Sequence, residues 1–326
     1  MTIDELKNVI RTVVLAQGND FIKELLRQHQ IKIGTTKRDF ANNLMEAVEN
    51  GALTEEIIED WLAEVEGWGN QHLYVFASPT IPIETVPATI RATQFAELLE
   101  APQSYEFPDD YSLSGIDLDE QGVSLIWHIG KQSWPRARAR DFEREIDGDL
   151  FRFDAYRLMR ERSVVRFIWR FDEDHCVVLI HRNKDIDHVE AKAVVWQALR
   201  EIGLCDAPRP IISLSEAVKT ASRQDGTRQT RMEVDDGYVE LKSTSAEGGI
   251  NQVEAVRQAR RAVNDEAFTR AQGRFAVRQN DDQVQPVSVE VAGEEGRIRI
   301  WAQCKREFVH FVIDRFIRLN TAPAND

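Results

Sequence analysis

The chain has 326 residues, 42% of them apolar and seven of them tryptophan, enough to bury a substantial core, and its length favours two or three domains. A net charge of −14 excludes indiscriminate coating of nucleic acid, because phosphate would be repelled everywhere except at a local basic face. Three cysteines far apart, Cys176, Cys205 and Cys304, with no C-x-x-C pair, exclude a disulfide framework and a cysteine-built zinc site, and no uncharged apolar run approaches the roughly 20 residues of a bilayer span.

Residues 1–50 carry seven acids and seven bases and read as helices. Leu6, Val9, Ile10, Val13 and Val14 recur at helical spacing, as do Ile22, Leu25 and Leu26, with Gly18, Asn19 and Asp20 between the two groups. Met1 to Leu15 carries charges through its apolar pattern instead of the h-region of a signal peptide, so the cytoplasm is the expected address. Thr36 and Asp39 form a capping pair for a third helix presenting Phe40, Leu44 and Val48, which Gly51 ends. Thr54 caps a fourth, with Glu55 and Glu56 in its first turn and Ile57, Ile58, Trp61, Leu62 and Val65 facing inward. These helices define a head over 1–66.

The next segment, 67–122, is expected to be a strand followed by an acidic connector. His72 to Ala77 has strand texture, Pro79, Pro82 and Pro87 mark an extended stretch, and Arg91 to Leu99 is expected to form a short helix. The whole net charge resides between the fourth helix and the end of this segment: Glu55 to Glu120 hold fifteen carboxylates and one base, Arg91. That stretch is a candidate dock for a basic protein partner.

From Val123 the chain changes to mixed α and β, which gives a third segment over 123–207 and a fourth over 208–326. Strands are predicted near 123–129, 164–171 and 175–181, and a helix over 187–201. After Pro208 and Pro210 the pattern predicts a helix over 213–222, a hairpin turning at Asp236-Gly237, a long helix over 250–271 and three or four C-terminal strands. Val164–His181 and Arg297–Ile313 have a faint likeness as strand pairs, but ordinary hairpin alternation accounts for it. The expected class is α+β: an N-terminal helical bundle, then a mixed, largely antiparallel β-domain with covering helices.

Three motifs point to chemistry. Lys131 to Arg170 hold eleven bases against seven acids, and within KQSWPRARARDFER the residues Arg136, Arg138 and Arg140 alternate, with Lys131 before them and Trp134 as a stacking face. In an extended segment the three guanidiniums would share one side and match a phosphate track. The bland alternative is a solvated loop whose arginines pair with Asp141, Glu143 and Glu145. Arg157, Arg160, Arg166 and Arg170 are candidates to extend the face.

The second motif lies in LLRQHQIKIGTTKRDFANNL. Leu25, Leu26, Ile31, Gly34, Thr35, Lys37, Phe40 and Leu44 resemble the SAP and HeH class of helix-extended-helix DNA-binding modules, over some 25 residues and with an extra threonine in the turn. The resemblance implies phosphate contacts at Lys37 and Arg38, with Lys32 beside them, where free backbone N–H groups of a helix start would converge. The layout of a helical head ending in HLYVFAS, an acidic connector, and VVRFIWRF beside HCVVLIH is similar to that of the centromere protein N family, which has no short motif to carry residues across.

The third is the hairpin RMEVDDGYVELKS. With a turn at Asp236-Gly237, Glu240 falls opposite Glu233 and Lys242 opposite Arg231, and Glu233, Glu240 and Lys242 converge on one polar face. Two carboxylates and a lysine can hold Mg²⁺ and stabilise phosphoryl charge, and the E-x-K strand resembles the PD-(D/E)-x-K nucleases, although glutamate stands where those enzymes carry aspartate. A solvated hairpin predicts the same letters. His175 and His181 share a strand face about 20 Å apart and cannot bind one metal together. Asp185, Asp187 and His188 read as capping chemistry, and nucleophile signatures, phosphate loops and dinucleotide fingerprints are absent from the sequence.

The sequence therefore favours a non-enzymatic, nucleic-acid-associated binding or adaptor protein needing no cofactor, contacting DNA or another nucleic acid through a local arginine-rich patch. A Mg²⁺-dependent nuclease serving nucleic-acid processing or antiviral defence, and a protein-only scaffold using the acidic connector, are the alternatives.

Overall fold

The computed structural model describes residues 1–99, 104–182, 186–224, 226–234, 236–243, 249–262, 268–279 and 283–321. The chain is an α+β protein, with N-terminal helices leading into a ten-stranded antiparallel sheet and its packing helices. It resolves into two compact units, one of residues 1–61, 103–114 and 127–164 and the other of 62–102, 115–126 and 165–326.

The first unit holds α1 (Ile3–Thr12), α2 (Asn19–Gln28), α3 (Lys37–Glu49) and most of α4 (Glu55–Val65). Capping boxes start α1 at Thr2 with Glu5 and α3 at Thr36 with Asp39, each satisfying two donors that a helix start leaves orphaned. Leu6, Val9, Ile10, Ile22, Leu25, Leu26, Phe40 and Leu44 are buried, as the helical spacing requires. The unit also contains a two-stranded ribbon of β4 (Phe142–Ile146) and β5 (Asp149–Phe153), in which every residue is exposed. Phe142 stacks on Phe153 across that ribbon, 4.8 Å between ring centroids.

The ten strands are β1 (Gly69–Ala77), β2 (Ser112–Leu118), β3 (Gly122–Ser133), β6 (Met159–Arg170), β7 (His175–His181), β8 (Thr227–Val234), β9 (Gly237–Lys242), β10 (Phe268–Gln279), β11 (Gln283–Ala292) and β12 (Arg297–Gln303). They lie in the order β2-β3-β6-β7-β1-β12-β11-β10-β8-β9, and β2, β3 and β6 have residues in both units. In the second unit β1 sits between β7 and β12, so a strand from early in the chain joins two hairpins from late in it.

The core of the second unit lies on one sheet face. Leu73, Val75, Val177, Leu179, Val289, Val291, Ile298 and Ile300 pack under α7 (Ser215–Arg223) and α9 (Arg306–Thr321), which contribute Val218, Ala221, Phe308, Val312 and Phe316. On the opposite face α6 (His188–Ile202) sits over β1, β7 and β6, where Trp196 meets Phe76 and Phe167 edge to face. Asp187 caps α6 by accepting from the Val189 and Glu190 amides, while Asp185 lies outside the described residues. No helix among the described residues is long and apolar enough to cross a membrane.

Several expected elements differ. The segment 307–313, expected as a strand, is the body of α9, because Phe308, Val309, Val312, Ile313 and Phe316 recur at helical and not alternating spacing. The expected helix over 250–271 is a 3₁₀ turn at Ile250–Gln252 and α8 (Glu254–Ala262), and by Phe268 the chain is in β10. Arg91–Leu99 is not one helix: α5 (Val86–Arg91) starts earlier, with Pro87 in its first turn, and a 3₁₀ turn covers Gln94–Leu98.

Candidate nucleic-acid interface

The arginine track does not adopt the extended form that alternation requires. Arg138–Arg140 make a 3₁₀ turn, in which residues at i and i+2 point apart. Arg136 is bonded to Asp141 at 2.8 Å and to Asp154, with its guanidinium carbon 5.9 Å from the Tyr156 ring centroid. The Asp141 carboxylate also accepts from the Ala155 amide at 2.8 Å, and that bond together with Arg136 lowers its pKa. Arg136 thus ties the foot of the ribbon together and its charge is locally compensated. Arg138 and Arg140 are exposed and make no ion pair among the described residues, Trp134 is 59% exposed, and Lys131 is exposed. Of the candidates to extend the track, Arg166 is buried and Arg170 is held by Asp314 and Glu173.

At the start of α3, Lys37 and Arg38 are exposed, and Lys37 donates from Nζ to the Leu15 carbonyl at 3.0 Å. The helix start is not a set of free donors. Asp39 accepts from the Thr35 and Thr36 amides at 3.0 and 2.9 Å, and the Thr36 hydroxyl accepts from the Asp39 amide. Those bonds hold the Asp39 carboxyl below its ordinary pKa, so an anion approaching this turn meets a carboxylate already seated on the amides.

The hairpin of β8 and β9 turns one residue earlier than expected. Val234 pairs with Gly237, so Arg231 faces Glu240, Glu233 faces Tyr238 and Gln229 faces Lys242. The expected pairings of Glu233 with Glu240 and of Arg231 with Lys242 are therefore corrected by two positions in register, which preserves the face each residue occupies. Glu233, Glu240 and Lys242 are exposed on the edge strand pair, and Glu240 has an arginine instead of a second carboxylate as its cross-strand neighbour.

The register of the second unit assembles a different polar surface on the sheet face opposite α7 and α9. One row across the strands runs Tyr74, Arg297, Ala292, Arg270, Arg231 and Glu240. The next runs His72, Arg299, Glu290, Gln272, Gln229 and Lys242, and Trp301 and Arg274 follow on the same face. The alternation Arg297-Ile298-Arg299-Ile300-Trp301 is the local cause: its isoleucines are fully buried in the core and its arginines and tryptophan stand opposite.

Arg299 and Trp301 form the centre of this surface. The Arg299 guanidinium carbon lies 3.4 Å from the Trp301 ring centroid, and that of Arg182, at the end of β7, lies 5.5 Å from it. Neither arginine makes an ion pair among the described residues. Further along, Arg231 stacks 3.8 Å over Tyr238, which is 57% exposed. Glu290 and Glu295 neutralise Arg297 at 3.4 and 3.1 Å, and Glu295 also takes Arg270 at 2.6 Å. The start of α6 closes one end, with the Tyr74 hydroxyl 2.8 Å from His188 Nδ1, Lys192 over the Tyr74 ring at 4.2 Å, and His72 and His188 edge to face at 4.6 Å.

Burial drives the His72 pKa down to about 3, helped by the positive field of His188, Arg299, Arg297 and Arg182, so His72 is neutral at pH 7. Desolvation likewise lowers Arg299, with Arg182 and Arg297 adding to the shift. The basic character of the surface rests on its side chains, in which Arg182, Arg231, Arg270, Arg297 and Arg299 outnumber Glu240, Glu290 and Glu295 on an acidic protein. The sequence carried its signal in the RIRIW alternation, but Arg182, Arg270 and Arg231 are assigned to it only by strand order.

This fold and surface define a class: an α+β protein whose open sheet face is basic and interleaved with aromatic rings. No family model matches the chain, and no curated protein matches it.

Proposed function

We propose that the chain is a nucleic-acid-associated binding or adaptor protein that holds phosphate on the polar sheet face of its second unit, with Arg299, Trp301 and Arg182 at the centre. The observation that carries this reading is the stack of Arg299 on Trp301 flanked by Arg182, two cations without ion-pair partners among the described residues. A guanidinium stacked over an indole is pre-organised, so it loses little entropy on meeting a phosphate. Arg274 and Lys242, both exposed, continue the row toward the sheet edge, and Tyr238 offers an exposed ring. Arg138, Arg140 and Trp134 are a second candidate phosphate-binding group in the first unit. A basic protein partner at residues 55–120 belongs to the same reading, supported by the exposure of Asp109, Asp110 and Glu120.

The test is anisotropy of labelled single-stranded DNA, single-stranded RNA and duplex DNA with the full chain over a salt series. Binding should weaken as salt rises, and Arg182→Glu with Arg299→Glu should weaken it at least 10-fold and lessen the salt slope by about one unit for each phosphate no longer neutralised. The same changes at Arg138 and Arg140 measure the contribution of the first unit. Affinity indifferent to salt and to Arg182 and Arg299 would overturn the reading.

A further inference from the structure

The turn between β6 and β7 reads Asp172-Glu173-Asp174-His175, and three of its side chains converge in loose contact. His175 Nδ1 lies 3.4 Å from Glu173 Oε2 and 3.6 Å from Asp174 Oδ1, and all three donor atoms fall within 4.8 Å of one another. The His175 side chain is only 3% exposed, yet Nδ1 makes no hydrogen bond. A buried ring nitrogen of this kind normally makes a well-aligned hydrogen bond, whereas this one rests in loose contact with two carboxylates.

We infer that Glu173, Asp174 and His175 form a binding site for a divalent transition-metal ion of the zinc type. The separations carry the inference. Ligand atoms about 2.0 to 2.2 Å from one ion in tetrahedral geometry stand about 3.3 to 3.6 Å apart, which is the spacing of His175 Nδ1 from both carboxylates. The donor set of one imidazole and two carboxylates suits Zn²⁺, Co²⁺ or Ni²⁺ better than Mg²⁺ or Ca²⁺, which prefer oxygen alone.

The surroundings fit that role. Arg170 holds Glu173 through Oε1 at 3.1 Å and is itself held by Asp314, so the other oxygen, Oε2, is left facing His175. Asp174 is 93% exposed, which gives an ion an open path and leaves a coordination position for water. Beside the ring, a cavity of about 10 Å³ lined by Ile168, Arg170, His175, Val177, His310 and Ile313 has room for one water. The bound ion would clip the turn to β7, the strand that pairs with β1 in the middle of the sheet.

Titration of the full, metal-stripped chain with Zn²⁺ by calorimetry is the direct test. The expected result is a saturable site of one equivalent, a rise in Tm on loading, and no comparable response to Mg²⁺. His175→Ala should abolish that site, and Asp174→Asn, a change at an exposed position that leaves the fold intact, should weaken it at least 10-fold. Visible absorption of the Co²⁺-loaded chain gives a second readout, in which the d–d bands should be lost in both variants. Absence of a one-equivalent site, or a site unmoved by Asp174→Asn with the fold intact by circular dichroism, would overturn the inference.

Discussion

Arg166 lies with its guanidinium carbon 4.3 Å from the centroid of the Trp68 ring, and both side chains are buried, at 8% and 2% exposure. The arginine stands on β6 where the alternating pattern would equally allow a surface position. Burial lowers its pKa to about 10, and its Nε has no hydrogen-bond partner. The stack on Trp68 supplies its packing, while the desolvated charge opposes folding.

Arg166→Met should therefore leave stability within about 1.5 kcal/mol of the parent or raise it, because it keeps the length of the stem and removes the buried charge. Arg166→Glu should cost about 3–5 kcal/mol, since it buries an acid without an assured partner. Urea unfolding of both variants checks the sign, and an Arg166→Met cost above about 3 kcal/mol would show that the guanidinium contributes more than packing.

Stability should fall as the pH is lowered from 7 to 4. His72 and His310 are held down to about 3 and about 4 from an ordinary 6.5, and His175, His181 and His188 are lowered as well, in each case mainly by desolvation. A histidine whose folded pKa is depressed binds its proton more readily in the unfolded chain. Its contribution is intact above about 6.5 and is lost progressively as pH falls toward the folded value, at up to about 1.4 kcal/mol per pH unit for each proton. Urea midpoints between pH 8 and 4 should show this slope, and His72→Gln should reduce it; an unchanged slope in that variant would place the acid sensitivity elsewhere.

Gly69 should not tolerate a side chain. Its φ of +70° is in the left-handed region, and a Cβ there would collide with the Ala302 carbonyl and the Cys304 amide, both backbone atoms that cannot swing away. The position lies where β1 shifts register against β12. Gly69→Ala should cost about 2–4 kcal/mol in urea unfolding, well above the effect of the same change at Gly115, where a Cβ meets nothing within 4 Å.

Much of the local structure was legible in the sequence because it rests on short-range rules. The stripes of Leu6, Val9 and Ile10 and of Phe40 and Leu44, the Thr36 and Asp39 box, and the helix after Asp187 follow from spacing and capping that neighbours within four residues decide. The same rules failed where two periods compete. Residues 307–313 are rich in the aromatic and β-branched residues that favour strands, and the helical spacing of Phe308, Val312 and Phe316, packed against the sheet, selects the helix.

The candidate surfaces show the boundary most clearly. Composition and alternation determined that the chain is an α+β protein, that its arginines occur in runs, and that Arg297, Arg299 and Trp301 share one side of a strand. Whether a given arginine is free to meet phosphate was decided elsewhere in the chain. Asp154 neutralises Arg136, Trp68 covers Arg166, and Arg182 reaches Trp301 because β1 brings β7 and β12 to its two sides. Charge and periodicity are properties of neighbouring residues, whereas burial and pairing are set by groups that meet across long stretches of chain, and for that reason only the tertiary structure fixes them.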